Sequence, residues 1–168
     1  MIEQIHRFVI PAAYSLLPAQ MNTPAATAML LAVGLQESRF QHRQQIGGPA
    51  HGLWQFERGG GIIGVLTHAA SKPHVERALR ALLYERVPDL PLPQRAAACY
   101  ALVVDNDVLA AVFARLLLWT VPGRLPLRHE SAYAWRIYAD DAWRPGRPHP
   151  ETWNGFYAQA WAMVGGGE

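Results

Sequence analysis

The chain has 168 residues, of which 51% are hydrophobic and 17% are charged. This length fits one domain, and a net charge of +2 is too small to indicate a nucleic-acid partner. Proline and arginine interrupt the apolar runs, so none reaches the roughly 18 uncharged apolar residues that a membrane span needs. Because Cys99 is the only cysteine, the chain cannot form an internal disulfide.

The first segment, "HRFVIPAAYSLLPAQ", has a basic pair before a short apolar run and therefore has to be weighed as a signal peptide. Glu3 and the internal Pro11 are atypical of such a leader. The apolar residues also recur at the three- and four-residue spacing of an amphipathic helix. We therefore expect a first core helix here.

The second segment, "AATAMLLAVGLQES", follows Thr23 and Pro24, which suit the N-cap and the first position of a helix. Nearly all of its residues are apolar, so this helix should be central and buried. Glycine and proline dominate residues 46–64, which predicts a loop with one apolar patch at residues 53–56.

Helical periodicity continues through the rest of the chain, and strand-like alternation is nearly absent. Further helices are predicted within "PHVERALRALLYERV", "QRAAACYALVV", "NDVLAAVFARLLLWT", "HESAYAWRIYADDAW" and "ETWNGFYAQAWAMV". No internal repeat and no separating linker is visible. The sequence therefore predicts a mainly α-helical single domain over residues 1–168.

Glu37 lies at the C-terminal end of the apolar second helix. The negative end of the helix dipole and a buried neighbourhood both disfavour its charged form and raise its pKa. A glutamic acid that keeps its proton near neutral pH can donate it to a leaving oxygen, as glycosidic bond cleavage requires. The alternative is a surface carboxylate that points to water or pairs with Arg39 or Arg43.

The loop that follows contains features of a sugar-binding wall. Glycines at 47, 48, 52 and 59–61 allow the backbone to approach a ligand closely. Trp54 offers a flat apolar face for a sugar ring, and Gln55 can donate and accept hydrogen bonds. Taken singly, Ser38, Phe40 and Trp54 also suit ordinary helix-end and core positions.

Together, Glu-Ser-x-Phe at residues 37–40 and Gly-Leu-Trp-Gln at residues 52–55 resemble two motifs of the lysozyme-like soluble lytic transglycosylases. Trp54 stands where that family more often has methionine. The resemblance implies a helical lysozyme-like fold and cleavage of the glycan strands of peptidoglycan. It also implies that no metal or cofactor takes part.

The resemblance implies specific roles for these residues. Glu37 would protonate the oxygen between N-acetylmuramic acid and N-acetylglucosamine and then accept a proton from the muramyl 6-hydroxyl, giving a 1,6-anhydro sugar. Ser38 would help to orient Glu37, while Phe40, Trp54 and Gln55 would lie along the substrate.

A third family motif, Ala-Tyr-Asn-x-Gly, is incomplete in this chain. Ala132 and Tyr133 match its start, but the Asn and the Gly are absent. Tyr133 is the predicted partner that faces Glu37, with Tyr138 and Tyr100 as rivals.

The C-terminal "WRPGRPHPETWNGFYAQAW" resembles segments of phage or prophage members of the same group. Arg144, Arg147 and His149 alternate with Trp143 and Trp153 there and suit contact with a glycan or a phage structural protein. The simpler interpretation is a proline-punctuated crossover that carries core tryptophans, and we favour it. The seven histidines, His51 among them, show no paired metal-ligand spacing.

Two other functions stay open at this point. A hydrolytic muramidase would need a second carboxylate, for which Glu57, Asp140 and Asp141 are available. The simpler expectation is that Glu57 caps the glycine-rich loop and that the aspartates lie on a solvated helix face. The second alternative is a phage tail or virion component that has a lysozyme-like shape and little or no enzymatic turnover.

A glycan-cleaving enzyme would act at the periplasmic cell wall or be carried by a virion, and the sequence does not assign a route.

Overall fold

The computed structural model describes residues 1–165, and within that range it is mainly helical with no strand. Besides two short 3-10 helices (Ala19–Met21 and Val87–Asp89), eight helices are present there: α1 (Ile2–Gln4, Ile5–Val9 and Ile10–Ser15), α2 (Pro24–Ser38), α3 (Arg58–Ile62 and Ile63–Thr67), α4 (Lys72–Ala81), α5 (Leu92–Asp105), α6 (Asp107–Thr120), α7 (Ser131–Arg136 and Ile137–Ala142) and α8 (Pro150–Val164). The wider π winding occurs in the middle of α1, at the start of α3 and at the end of α7. The mainly α-helical class predicted from the sequence is confirmed.

Helix α2 is buried along most of its length, as its composition predicts. The Thr23 hydroxyl accepts a hydrogen bond from the Ala26 amide at 3.1 Å, and Pro24 occupies the first turn. The helix ends where Arg39 turns into the left-handed region at φ 53°. It packs along α8, which covers one of its faces.

Helix α6 is the second buried helix. The Asn106 side chain accepts a hydrogen bond from the Leu109 amide at 2.9 Å and so caps its first turn. Helices α1, α4 and α5 each pack against α6, which makes it the centre of that side of the molecule. The buried apolar side chains of α2, α6 and the surrounding helices form one continuous cluster.

Two boundaries differ from the sequence prediction. Helix α3 begins inside the expected 46–64 loop, because Ile62, Val65 and Leu66 bury their side chains and outweigh the poor helix propensity of the neighbouring glycines. Helix α4 ends at Ala81 rather than continuing to residue 87, since Leu83 adopts φ 68°.

Two further features belong to the same range. Cys99 is buried and free, as expected for a small core residue. No helix within residues 1–165 is both long and apolar enough to cross a membrane.

Candidate active-site cleft

A cleft of about 1030 Å³ opens beside the C-terminal end of α2. One wall comes from residues 55–64, which include the glycines in the first turn of α3. Another wall comes from the end of α7 and the segment 143–149 that leads to α8. Glu37 and Gln36, from the last turns of α2, also line the cleft.

Glu37 meets a tyrosine in this cleft. The Tyr138 hydroxyl donates a hydrogen bond to Glu37 Oε1 at 2.7 Å. Tyr138 is itself only 2% exposed and stacks on Trp153 with ring centroids 5.0 Å apart. The packing of this ring therefore fixes the direction from which the hydroxyl approaches the carboxyl group.

The surroundings of Glu37 raise its pKa to about 7. Burial is the main cause, because it disfavours the charged carboxylate, and the nearby charge of Glu57 adds to it. The hydrogen bond from Tyr138 lowers the pKa but is outweighed. Glu37 therefore keeps its proton to a much higher pH than an exposed glutamate does.

The two arginines that follow Glu37 do not neutralise it. Arg43 forms an ion pair with Asp107 at 2.6 Å. The Arg39 guanidinium lies over the ring of Phe156, 5.2 Å from its centroid. Within residues 1–165 no ion pair involves Glu37, so the surface-carboxylate interpretation does not describe it.

Phe40 fills the core and does not line the cleft, so its predicted contact with substrate is wrong. Its ring is 0% exposed and lies directly against the backbone of Gly34. A Cβ atom at Gly34 would lie 2.2 Å from the Phe40 ring, closer than any real contact allows. Helix α2 thus needs a glycine three residues before Glu37 for the chain to fold back.

Trp54 is also buried, which corrects the expectation that it offers a face to a sugar ring. It is 0% exposed, meets Phe40 edge to face, and donates its indole N–H to the Leu30 carbonyl oxygen at 2.8 Å. Burial of an indole with its N–H paired suits a core anchor. Trp54 therefore fastens the 51–57 turn to α2.

Ser38 joins the same turn to the helix. Its hydroxyl donates to the Leu53 carbonyl oxygen at 2.6 Å and accepts from the Phe40 amide at 3.1 Å. Among the hydrogen bonds of residues 1–165 none links Ser38 to Glu37. The predicted orienting role is therefore replaced by one in which Ser38 fixes the turn that forms the wall beside Glu37.

Gln55 does line the cleft, as predicted. It adopts φ 52°, and its side-chain amide donates to the Gly52 carbonyl oxygen at 2.9 Å. Gly52 has φ 77°, and a Cβ there would lie 2.7 Å from the Val103 carbonyl oxygen, so the turn requires glycine. This geometry leaves the side-chain carbonyl of Gln55 available to a ligand.

Tyr133 does not meet Glu37, which corrects its predicted role. Its hydroxyl donates to the Arg124 carbonyl oxygen at 2.9 Å, and its ring lies beside the Arg124 and Arg136 guanidinium groups. Tyr100 instead stacks on His51, with centroids 3.8 Å apart.

Tyr138 lies in the π-wound stretch of α7, Ile137–Ala142, and such local widening of a helix recurs at functional sites.

Two further carboxylates line the cleft. Glu57 stands immediately before α3, but its side chain makes no capping hydrogen bond, so the expected cap is wrong. Asp141, at the end of α7, also lines the cleft, whereas Asp140 is exposed outside it.

The segment 143–149 was expected to be a simple crossover, and it proves to be a wall of the cleft. Trp143 lies in the lining and donates its indole N–H to the Trp54 carbonyl oxygen at 2.9 Å. Trp153, in contrast, is a core residue, 2% exposed. The alternation of arginine with tryptophan and proline was the available signal for this wall.

No cluster of three or more His, Cys, Asp or Glu side chains suited to a metal ion occurs within residues 1–165. Comparison of the chain with protein-family models, with curated proteins and with solved structures finds no match in any of the three. The arrangement around Glu37 is therefore the basis for any functional assignment.

Proposed function

We propose that this protein cleaves the glycan strands of peptidoglycan, with Glu37 as a single acid and base, as a lytic transglycosylase. The observation that carries the proposal is a carboxyl group with a pKa of about 7, held by a tyrosine hydroxyl in a large cleft. An acid with a pKa near the working pH is the most effective proton donor and acceptor.

In the first step Glu37 transfers its proton to the bridging oxygen between N-acetylmuramic acid and N-acetylglucosamine. The bond from that oxygen to C1 of the muramyl ring then breaks, and the positive charge on the ring is stabilised by its own N-acetyl oxygen. The Tyr138 hydroxyl lies at Oε1, so it supports the carboxylate that this step produces.

In the second step the Glu37 carboxylate accepts the proton of the muramyl 6-hydroxyl, whose oxygen bonds to C1. The products are a 1,6-anhydro muramyl end and a free N-acetylglucosamine 4-hydroxyl, and Glu37 regains its proton. No water is consumed, so one carboxyl group is sufficient.

The walls of the cleft support a sugar substrate. Trp143, which is half-buried, supplies aromatic surface, on which the apolar face of a pyranose ring packs. Gln55 supplies a side-chain amide. Gly59 has no side chain and has open space beside it, so its backbone is accessible from the cleft. A glycan chain needs this combination of flat apolar faces and neutral hydrogen-bonding groups.

The test is release of muropeptides from purified peptidoglycan by the wild-type protein and by Glu37→Gln. We expect the variant to lose at least about a hundredfold in rate, because it cannot exchange a proton, while Tyr138 still bonds to the amide oxygen. Glu85→Gln, an exposed change away from the cleft, is the matched control and should act as the wild type does. Release by Glu37→Gln at the wild-type rate would refute the proposed role.

A hydrolytic muramidase is the second candidate, because Glu57 and Asp141 line the same cleft as Glu37. Either carboxylate would activate water or form a covalent adduct. Mass analysis of the released ends separates the two reactions. Hydrolysis leaves a reducing end, whereas the proposed reaction leaves an anhydro end that is lighter than the reducing end by the mass of one water.

The lysozyme-like fold and the phage or prophage origin stay part of this proposal. A buried central helix that ends in the catalytic carboxyl, followed by a glycine-containing turn, supports the fold. A non-enzymatic tail or virion component has no physical need for a carboxyl group of raised pKa in an open cleft. A wild-type protein inactive on peptidoglycan would favour that structural role.

A further inference from the structure

Two arginines stand on one wall of the cleft. Arg144 and Arg147 belong to the segment 143–149, and both are exposed while lining the cleft that contains Glu37. Arg144 adopts φ 50° and uses its Nε to donate to the Asp140 carbonyl oxygen at 3.0 Å. Its two terminal nitrogens make no hydrogen bond to any residue in the range 1–165, so they can bind a ligand.

Neither arginine is paired with a carboxylate of the described chain. Four other arginines do have such partners: Arg43 with Asp107, Arg80 with Asp89, Arg95 with Glu76, and Arg124 with Glu130. Asp141 lies three residues before Arg144 and lines the same cleft, yet no ion pair of residues 1–165 joins it to either cleft arginine.

The wall that carries these arginines is fastened to the helix that carries Glu37. Gln36 donates its side-chain N–H to the His149 carbonyl oxygen at 2.9 Å and accepts from the Thr152 hydroxyl at 3.0 Å. Pro145 and Pro148 restrict the backbone on either side of Arg147. The backbone segment that carries the two arginines is therefore held beside the helix that carries Glu37.

We propose that Arg144 and Arg147 bind the carboxylates of the peptide stems, so that the cleft selects glycan strands that still carry their peptides. This inference rests on the proposed function. The hydroxyl and N-acetyl groups of the sugars are neutral and offer these guanidinium groups no charge. The stems attached to muramic acid carry free carboxylates, which form short, charge-assisted hydrogen bonds with arginine.

Binding measurements in the inactive Glu37→Gln protein separate this inference from catalysis. The ligands are purified glycan strands with intact stems, the same strands stripped of stems by an amidase and with the lactyl carboxylates that this frees capped as amides, and intact strands with wall-polymer phosphate attached. We expect intact strands to bind about tenfold more tightly than stripped strands, and the difference to shrink at high salt. Attached phosphate should add little.

The decisive variant carries Arg144→Gln and Arg147→Gln in the Glu37→Gln background. It should bind intact and stripped strands equally, at about the affinity of the parent for stripped strands. The matched control is Arg86→Gln with Arg128→Gln, which removes the same charge from exposed positions outside the cleft and should keep the tenfold preference.

Each result of these binding measurements either supports or overturns the inference about Arg144 and Arg147. Equal binding of intact and stripped strands by the parent, or an unchanged preference in the cleft double variant, overturns the inference. A preference that follows attached phosphate and not stems also overturns it. If stems are preferred through these arginines but the wild-type protein releases no muropeptides, the binding inference stands and the proposed catalytic function fails.

Discussion

At Glu37, two opposing effects set the protonation state of one carboxyl group. Burial and the Glu57 charge raise its pKa, while the hydrogen bond from Tyr138 lowers it, and the balance lies at about 7. The tyrosine therefore has two roles: it orients the carboxyl group and prevents its pKa from rising further. Without that hydrogen bond the acid would still hold its proton, but it would give it up less readily.

Tyr138→Phe tests this pair of roles. Loss of the hydrogen bond should raise the pKa of Glu37 by up to about one unit and lower the maximal rate about tenfold, since the carboxyl group is no longer oriented. The measurement is the pH dependence of kcat/KM for muropeptide release, whose alkaline limb should move to higher pH.

Tyr133→Phe is the matched control for that experiment. Its hydroxyl bonds to the Arg124 carbonyl oxygen and not to Glu37. The profile of this variant should coincide with that of the wild type. A shift caused by Tyr133→Phe and not by Tyr138→Phe would show that the wrong tyrosine has been assigned.

At the scale of elements, the end of α2 and the 51–57 turn form one unit. Phe40 folds back onto Gly34, Trp54 bonds to the Leu30 carbonyl, and Ser38 bonds to the Leu53 carbonyl. These contacts are all buried, so the motif residues around Glu37 act mainly through packing. The unit holds Glu37 at the cleft and presents Gln55 beside it.

Gly34→Ala tests this packing. The added Cβ would meet the Phe40 ring at 2.2 Å, so either the ring or the helix end must move. We expect a loss of about 1–3 kcal/mol in the free energy of unfolding, measured by urea denaturation.

Gly155→Ala is the control, because Gly155 is an exposed position of α8 with nothing within 4 Å of its added Cβ. Alanine there should stabilise the protein by about 0.5–1 kcal/mol through helix propensity. Equal effects of the two substitutions would contradict the proposed contact between Phe40 and α2.

Local chemistry in the sequence was sufficient to predict the start of α2 and the position of the acid. Thr23 and Pro24 start α2 by rules that depend only on neighbouring residues. Glu37 was recognisable because an apolar helix ends on it. These features are encoded within a few residues, and the structure agrees with them.

The partners of the acid depend on packing between distant segments, which periodicity does not encode. Tyr133 and Tyr138 lie five residues apart on α7, and a π-wound stretch and stacking on Trp153 determine which of them meets Glu37. The flat apolar ring of Trp54 suits a residue that stacks on a sugar, yet Trp54 lies in the core and donates its indole N–H to the Leu30 carbonyl oxygen of α2. Segment 143–149 became a cleft wall because α8 packs along α2.

At the scale of the whole molecule, the raised pKa of Glu37 makes folding stability depend on pH. The ordinary pKa of the group is 4.5 and its folded value is about 7, so between these values the folded protein binds more protons than the unfolded chain. Stability from this source is fully present below pH 4.5 and is lost as the pH rises through about 7.

Glu37→Gln removes this dependence while leaving the other titrating groups in place. Relative to the wild type, the variant should therefore gain on the order of 3 kcal/mol in the free energy of unfolding between pH 4 and pH 8. Urea denaturation of both proteins at the two pH values measures the difference. If the free energies of unfolding of the variant and the wild type differed by the same amount at both pH values, protonation of Glu37 would not contribute to stability.

The central claim is that one carboxyl group in the cleft keeps its proton near neutral pH, and direct titration of that group tests it. Carbon-13 labelling of glutamate side chains, with Glu37→Gln used to assign the signal, gives the pKa of Glu37 by NMR. We predict a midpoint of about 7. A midpoint near the ordinary value of 4.5 would contradict the account, because Glu37 would then be ionised at neutral pH and have no proton to donate.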